Sequence, residues 1–104
     1  MKKDQSNKYI KALNNNLKYI EMFYIIRNEL NEVDPMGLFP GRGAPVDEYD
    51  PETSMVLTKL KNDIDYIELS KSMSEIFTEM FGEDFSEDMF YVCAKNILEQ
   101  VSNL

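Results

Sequence analysis

The chain has 104 residues, enough for one compact domain and too few for two. Hydrophobic residues make up 43% of it, too many for a disordered chain. Its single Cys and its lack of His exclude an intrachain disulfide, imidazole catalysis and metal sites that need Cys or His ligands. The net charge of -8 argues against nucleic acid or an anionic membrane as the main partner.

No apolar segment in the sequence has the length of a signal peptide or a membrane span. The longest apolar stretch near the N-terminus, Met22 to Ile26, has five residues. The lone Cys93 suits a reducing compartment. We therefore expect a cytoplasmic protein that does not bind membranes.

Helical periodicity predicts an all-α fold, a single-domain bundle of four helices over residues 1–104. A long first helix is predicted over residues 7–33, because apolar residues recur there every three or four positions. This helix should end at Val33, since Asp34 precedes Pro35 and a residue before proline disfavours the helical conformation. The predicted inner stripe comprises Ile10, Leu13, Leu17, Ile20, Phe23, Ile26, Leu30 and Val33.

Three shorter helices are predicted over residues 51–62, 65–81 and 86–102, after a long ordered loop over residues 34–50. Asp50 is the predicted N-terminal cap of the second helix, with Pro51 in its first turn. Asp65-x-x-Glu68 reads as a capping box for the third helix, and Gly82 is placed to end it. Ser86 is the predicted cap of the fourth. The predicted inner stripes comprise Val56, Leu57 and Leu60, then Leu69, Met73, Ile76, Phe77 and Met80, then Phe90, Cys93, Ala94, Ile97 and Val101.

The loop over residues 34–50 contains three of the four prolines and three of the four glycines. Loops of this length in compact domains are often functional. Its apolar residues indicate that it packs on the helices: Met36, Leu38, Phe39 and Val46. Gly41-Arg42-Gly43 is a weak signal for a phosphate site, because the Lys-Ser/Thr of a P-loop and the third glycine of a dinucleotide fingerprint are missing.

Four carboxylates fall within six residues, at Asp47, Glu48, Asp50 and Glu52. Such oxygen ligands suit a hard divalent cation or acid–base chemistry, but the EF-hand spacing is absent. Helix capping and solvation explain these charges more simply. With no His, no cofactor motif and a Cys93 that is predicted to be buried, we expect neither enzymatic activity nor a cofactor nor a metal.

Charge is distributed unevenly along the chain. Residues 1–28 have a net charge of +4, whereas residues 29–104 have a net charge of -12. Acidic clusters lie at residues 47–52 and 83–88. If the fold brings both clusters onto one surface, their field would attract a cationic partner. The alternative is that the acidic side chains simply keep the protein soluble.

Two short motifs resemble a known family. The segments Asp34-Pro35-Met36-Gly37-Leu38 and Pro45-x-Asp47-Glu48-Tyr49-Asp50-x-Glu52 are similar to the signature of a small bacterial family, domain of unknown function 1871. Val33 stands where a Trp is expected, and residues 39–44 form an insert of this chain's own. The resemblance covers most of the chain and implies an all-helical fold, without an activity.

The motif residues are interpreted as a folding device that holds the loop, with Asp34 and Asp50 fastening its two ends. Tyr49 is expected to pack its ring inward while its hydroxyl finds a partner. The full structural motif comprises Asp34, Pro35, Gly37, Pro45, Asp50 and Pro51.

The leading hypothesis for function is a cytosolic protein-binding module of the immunity or antitoxin type, which would block a cationic toxin or nuclease domain. Its expected binding residues, with Tyr49 as anchor and the acids steering, are Asp47, Glu48, Tyr49, Asp50 and Glu52. Two alternatives stay open: a divalent-metal site built from carboxylates of the same loop, and a structural protein whose first helix pairs into a homo-oligomer.

Overall fold

Four α-helices and one long loop make up the computed structural model, which describes residues 3–60 and 63–104. The helices are α1 (Lys3–Val33), α2 (Asp50–Leu57), α3 (Tyr66–Phe81) and α4 (Tyr91–Ser102). A 3-10 turn over Glu87–Phe90 leads directly into α4. The prediction of an all-α, four-helix domain is confirmed. None of the helices in the described ranges is both long enough and apolar enough to span a membrane.

The helix ends agree with the sequence signals where a side chain can satisfy the exposed backbone. The Asp65 carboxylate accepts a hydrogen bond from the Glu68 amide at 2.8 Å, which confirms the predicted cap of α3. Gly82 ends α3 in the left-handed conformation, with φ of 70°. At the end of α1, Asp34 takes up a φ of 48°, and its amide donates to the Leu30 carbonyl at 2.8 Å. Asp is one of the few side chains that tolerate this conformation.

Two predicted helix starts are wrong in detail. Asp50 is the first residue of α2 rather than its cap, and the residue at the cap position, Tyr49, makes no side-chain capping bond. Ser86 precedes the 3-10 turn in an extended conformation and makes no capping bond either. In both places the acidic side chains of the first turn favour the start of the helix through its dipole.

The second helix is also shorter than predicted, because it ends at Leu57. The Lys59 and Leu60 amides donate to carbonyls three residues back, those of Val56 and Leu57, so the chain tightens out of the α-helical pattern. The Thr58 hydroxyl adds a bond to the Met55 carbonyl at 2.6 Å. The last two residues of the prediction, 61 and 62, lie outside the described residues.

The core is centred on the ring of Phe77 in α3. The rings of Tyr49, Phe81, Phe85 and Phe90 lie with their centroids 5.4–5.8 Å from it, the spacing of favourable aromatic pairs. Met22, Ile26 and Leu30 of α1 are also buried, as are Val56 of α2 and Cys93, Ala94 and Ile97 of α4. Most of the predicted stripes of α3 and α4 are therefore confirmed, whereas Met80 is 45% exposed.

The first half of α1 departs from the predicted stripe. Leu17 and Ile20 are about half exposed, and every residue from 15 to 21 is exposed. Only the backbone is described for Ile10 and Leu13. The helix has 31 residues and so extends about 46 Å. Among the α1 residues whose side chains are described, the buried ones all lie in its second half, at Met22, Ile26 and Leu30.

Candidate functional site

The loop between α1 and α2 is closed by a hydrogen-bonded pair, Asp34 and Tyr49. The Tyr49 ring is completely buried, and its hydroxyl donates to Asp34 Oδ1 at 2.6 Å while it accepts from the Met36 amide at 3.0 Å. The Asp34 carboxylate also accepts bonds from the amides of Leu38 at 2.9 Å and Phe39 at 3.0 Å. A single carboxylate thus connects the end of α1, the first turn of the loop and the residue before α2.

This pairing has electrostatic consequences for both groups. Partial burial tends to raise the pKa of Asp34, but the bonds from Tyr49, Leu38 and Phe39 outweigh it and hold the pKa below its ordinary value of 3.8. Burial, and then the bond to Asp34, raise the pKa of the Tyr49 hydroxyl. Asp34 therefore stays charged and Tyr49 stays neutral through the neutral pH range.

Asp50 is occupied by a second pairing, with Arg27 of α1. The guanidinium binds the carboxylate in a fork, with Nε to Oδ1 at 2.9 Å and a terminal nitrogen to Oδ2 at 2.5 Å. Arg27 also lies over the rings of Phe23 and Tyr24, with its central carbon 5.5 and 5.0 Å from their centroids. The bond to Asp50 raises the pKa of Arg27 above its ordinary value. Asp50 fastens α2 to α1 and is not a free surface acid.

Two other residues of the predicted binding set are wrong as contact residues. Tyr49 is fully buried and Glu52 is 3% exposed, so neither can contact a partner. Glu52 belongs to the inner face of α2 with Thr53 and Val56, and Tyr49, just before the helix, continues that face at helical spacing. Burial, followed by repulsion from neighbouring carboxylates, raises the pKa of Glu52. The spacing of Tyr49, Glu52, Thr53 and Val56 is visible in the sequence and could have indicated this face.

The remaining two members of that set, Asp47 and Glu48, are exposed. The four carboxylates therefore do not converge, because Asp50 is held by Arg27 and Glu52 is turned into the core. Within the ranges the structure describes, no three acidic or Cys side chains are placed to hold a metal ion together. The metal alternative has no supporting observation.

The Gly41-Arg42-Gly43 segment forms an internally bonded turn. The amides of Arg42, Gly43 and Ala44 all donate to the Phe39 carbonyl at 2.9–3.2 Å, and the Gly41 amide donates to the Ala44 carbonyl at 2.7 Å. A phosphate cradle needs amides that point at the ligand. These amides are already bonded to carbonyls of the turn, so the segment stabilises the turn and does not form a phosphate cradle.

The inner apolar residues of the loop behave as predicted only in part. Met36 and Leu38 are half-buried and pack against the core. Phe39 and Val46 are 61% and 55% exposed. Phe39 has a φ of 56°, a strained conformation for a bulky side chain. Two sets of hydrogen bonds hold Phe39 in this conformation. Three backbone amides of the following turn donate to its carbonyl, and its own amide donates to Asp34.

Phe39 lies beside a surface that the sequence did not indicate. Two shallow depressions meet at Glu32 of α1, one of which also contains Asn31, Phe39 and Arg42, and the other Glu29, Met89 and Val92. Met89 and Val92 are 44% and 69% exposed. We call the surface formed by Glu29, Glu32, Phe39, Met89 and Val92 the Glu32 face.

Cys93 lies below this face and is 2% exposed, as predicted. Burial, followed by the nearby charge of Glu29, raises its pKa to about 12. The thiol is therefore protonated at neutral pH and unsuited to act as a nucleophile.

Comparison of the chain with family models, with curated proteins and with solved structures finds no match. The resemblance to domain of unknown function 1871 therefore stays a prediction.

Proposed function

We propose that this chain is a cytosolic protein-binding module, of the immunity or antitoxin type, that binds a cationic protein such as a toxin or nuclease domain through the Glu32 face. The observation that carries the proposal is the presentation of Phe39. Its ring is 61% exposed, although its backbone is held in a conformation that is unfavourable for an aromatic residue. Strain of this kind clusters at binding sites, where the surrounding structure maintains it.

Apolar side chains of the neighbouring depression supply further area that a partner can bury. Met89 and Val92 contribute to the same face from the 3-10 turn and α4. Exposed aromatic and apolar side chains on one face are typical of a surface that binds another protein. We therefore assign to Phe39 the anchoring role that the sequence had suggested for Tyr49.

The charges around the face favour a basic partner. Glu29 and Glu32 lie within it, and Glu87 and Asp88 directly precede Met89 in the chain. Only Arg42 is basic among the residues that line the two depressions. Such a field raises the association rate of a cationic protein and weakens as salt screens it.

The test begins with co-purification from the native lysate at low salt, followed by mass spectrometry. The captured protein is then titrated against the wild type and two alanine variants. Phe39→Ala should weaken binding by about 2 kcal/mol, roughly thirtyfold in Kd. Ile67→Ala, which removes a half-exposed apolar side chain from α3, is the matched control and should leave Kd unchanged.

Both variants should unfold within about 0.5 kcal/mol of the wild type, because they alter exposed side chains. Failure to recover any stoichiometric partner would count against the proposal. A partner whose affinity is unaffected by Phe39→Ala, or whose binding surface is acidic, would contradict it directly.

A further inference from the structure

The depression beside Phe39 combines an exposed aromatic ring with carboxylates. The ring is 61% exposed, and Glu32 of the same depression is exposed as well. The charged side chains in its lining are two carboxylates against one guanidinium, a net charge of -1, so the depression favours a cation. Its lining residues are Asn31, Glu32, Asp34, Phe39, Pro40 and Arg42.

The same combination of groups holds a cation elsewhere in this chain. The Arg27 guanidinium binds the Asp50 carboxylate in a fork. It also lies 5.5 and 5.0 Å from the ring centroids of Phe23 and Tyr24. A guanidinium can do both because it is planar, so that its face stacks on a ring while its edge donates to a carboxylate. A guanidinium therefore matches a depression that is lined by a ring and a carboxylate.

Glu32 is the carboxylate that is available to such a group. Asp34 already accepts three hydrogen bonds from its own loop. In the neighbouring depression, both oxygens of Glu29 accept from side-chain amides of α4, at 3.1 Å each. Among the residues that the structure describes, the only ion pair joins Arg27 and Asp50, so the Glu32 carboxylate has no cationic partner.

The Asn31 side chain is an independent indication that a hydrogen-bond donor belongs here. Its Nδ2 donates to the Val46 carbonyl at 2.9 Å, which fixes the orientation of the amide. Its Oδ1 is buried and is the one buried side-chain oxygen or nitrogen in the described ranges without a hydrogen-bond partner. Leaving a buried acceptor without a donor is unfavourable. Because Asn31 lines this depression, a group with several N–H donors seated there would supply the missing donor.

We infer that the depression between Glu32 and Phe39 receives an arginine side chain of the partner. This inference rests on the proposed function and names the chemical group that the partner presents. The guanidinium lies against the Phe39 ring and donates to Glu32, and a further N–H is directed to Asn31. Arginine suits this arrangement better than lysine, because a guanidinium is planar and has five donors, whereas an ammonium is a compact point charge.

Arginine itself serves as the probe, so the test does not require the partner. Acetyl-arginine amide is titrated into the full chain at constant ionic strength, while NMR follows the Asn31 side-chain amide and the Phe39 ring. Both signals should shift and saturate together, with a millimolar Kd. Acetyl-citrulline amide is the matched probe, because it has nearly the same shape without the charge. It should bind at least about tenfold more weakly.

Two variants with the same change in net charge test the role of Glu32. Glu32→Gln should raise the Kd for acetyl-arginine amide at least about fivefold, because the carboxylate contact is lost. Glu75→Gln is the control, since Glu75 is exposed on α3 and lines neither depression, and it should leave Kd unchanged. Both variants alter exposed side chains and should keep the fold. Phe39→Leu keeps an apolar side chain but removes the ring, and should raise Kd about twofold.

Shifts that do not saturate, equal binding of the arginine and citrulline probes, or equal effects of Glu32→Gln and Glu75→Gln would overturn the inference. Tighter binding of acetyl-aspartate amide would also overturn it, because the depression would then bind anions through Arg42. These results are distinct from a failure of the proposed function. A captured partner that depends on Phe39 but not on Glu32 overturns the inference alone, whereas failure to capture a partner counts against the proposed function alone.

Discussion

The bond between Tyr49 and Asp34 is the contact on which the geometry of the loop depends most. Replacing Tyr49 by Phe removes one hydroxyl and keeps the ring in the core. Asp34 then loses a bond of 2.6 Å and the Met36 amide loses its acceptor. A hydrogen bond to a charged group contributes about 1.5–3 kcal/mol, and an unsatisfied amide costs about 1 kcal/mol more. Asp34 keeps two backbone donors, so we expect a total loss of about 2–3 kcal/mol.

Urea denaturation at neutral pH measures this loss, and a thermal scan should show Tm lower by about 10–20 °C. Tyr24→Phe is the matched control, since that ring is half exposed at the surface. The pH dependence gives a second readout. Because the folded pKa of Asp34 lies below its ordinary value of 3.8, its contribution is present above that pH and is lost as pH falls. The destabilisation by Tyr49→Phe should therefore shrink in acid.

Equal unfolding midpoints for Tyr49→Phe and Tyr24→Phe would refute the role of this bond. A loss of stability that persists unchanged below pH 3.8 would show that the hydroxyl acts through packing rather than through the charge of Asp34.

Three further predictions concern other carboxylates. Glu52→Gln should raise the free energy of unfolding at neutral pH by about 1 kcal/mol, because burial of the charged form is unfavourable. This gain should vanish below pH 4.5, the ordinary pKa of Glu52, because the raised pKa in the folded state makes the wild type lose stability as pH rises. Urea denaturation at neutral pH and below pH 4.5 measures the gain, with the exposed Glu48→Gln as control. A lower free energy of unfolding for Glu52→Gln at neutral pH would contradict the prediction. Arg27→Met and Asp50→Ala should each lower the free energy of unfolding by about 1 kcal/mol, and the double variant should lower it by little more, because both remove the same ion pair. Additive effects in this double-mutant cycle would instead favour an independent role for Asp50. Asp65→Ala should cost about 1 kcal/mol through the lost cap, visible as a Tm lower by about 4–8 °C, and an unchanged Tm would argue that the cap is dispensable.

Helix ends could be predicted from the sequence where one local side chain decides them. Asp65 and Gly82 bound α3 as expected, and α1 ends at Val33, before the Asp34-Pro35 step. These signals depend on backbone geometry within a few residues. At the start of α2 a distant contact overrides the same kind of signal, because the Asp50 carboxylate binds Arg27 rather than the helix end. The end of α2 has no such residue, and there the prediction ran past Leu57.

The faces of the helices were harder to predict. Apolar periodicity in α1 indicates a helix with apolar sides, but it does not tell which side the other helices cover. Leu17 and Ile26 look alike in the sequence, yet one is 51% exposed and the other is fully buried. The difference arises because Leu17 and Ile26 lie on opposite sides of α1, and the rest of the bundle packs on the side of Ile26, a property of the whole fold rather than of α1.

The acidic loop shows the same limit for charge. In the sequence, Asp47, Glu48, Asp50 and Glu52 form one cluster that suggests a single acidic surface. In the fold, Asp50 is neutralised by an arginine 23 residues away, and Glu52 shares the buried face of α2 with Tyr49. The pairing of Asp50 cannot be read from the local pattern, because it depends on which residue another helix brings near, whereas the helical spacing of Tyr49, Glu52 and Val56 does indicate the buried face.

This redistribution changes where a partner should be sought. Once Asp50 and Glu52 are assigned to the fold, the acids left on the surface of the loop are Asp47 and Glu48, next to Val46, whose carbonyl accepts from Asn31 of α1. The strained, exposed Phe39 lies instead beside Glu32, on the side where Met89 and Val92 protrude. The bond from the Phe39 amide to Asp34 helps hold the residue in that conformation, together with the three amides that donate to its carbonyl. Loosening the bond between Asp34 and Tyr49 should therefore weaken partner binding through Phe39 even where the protein stays folded.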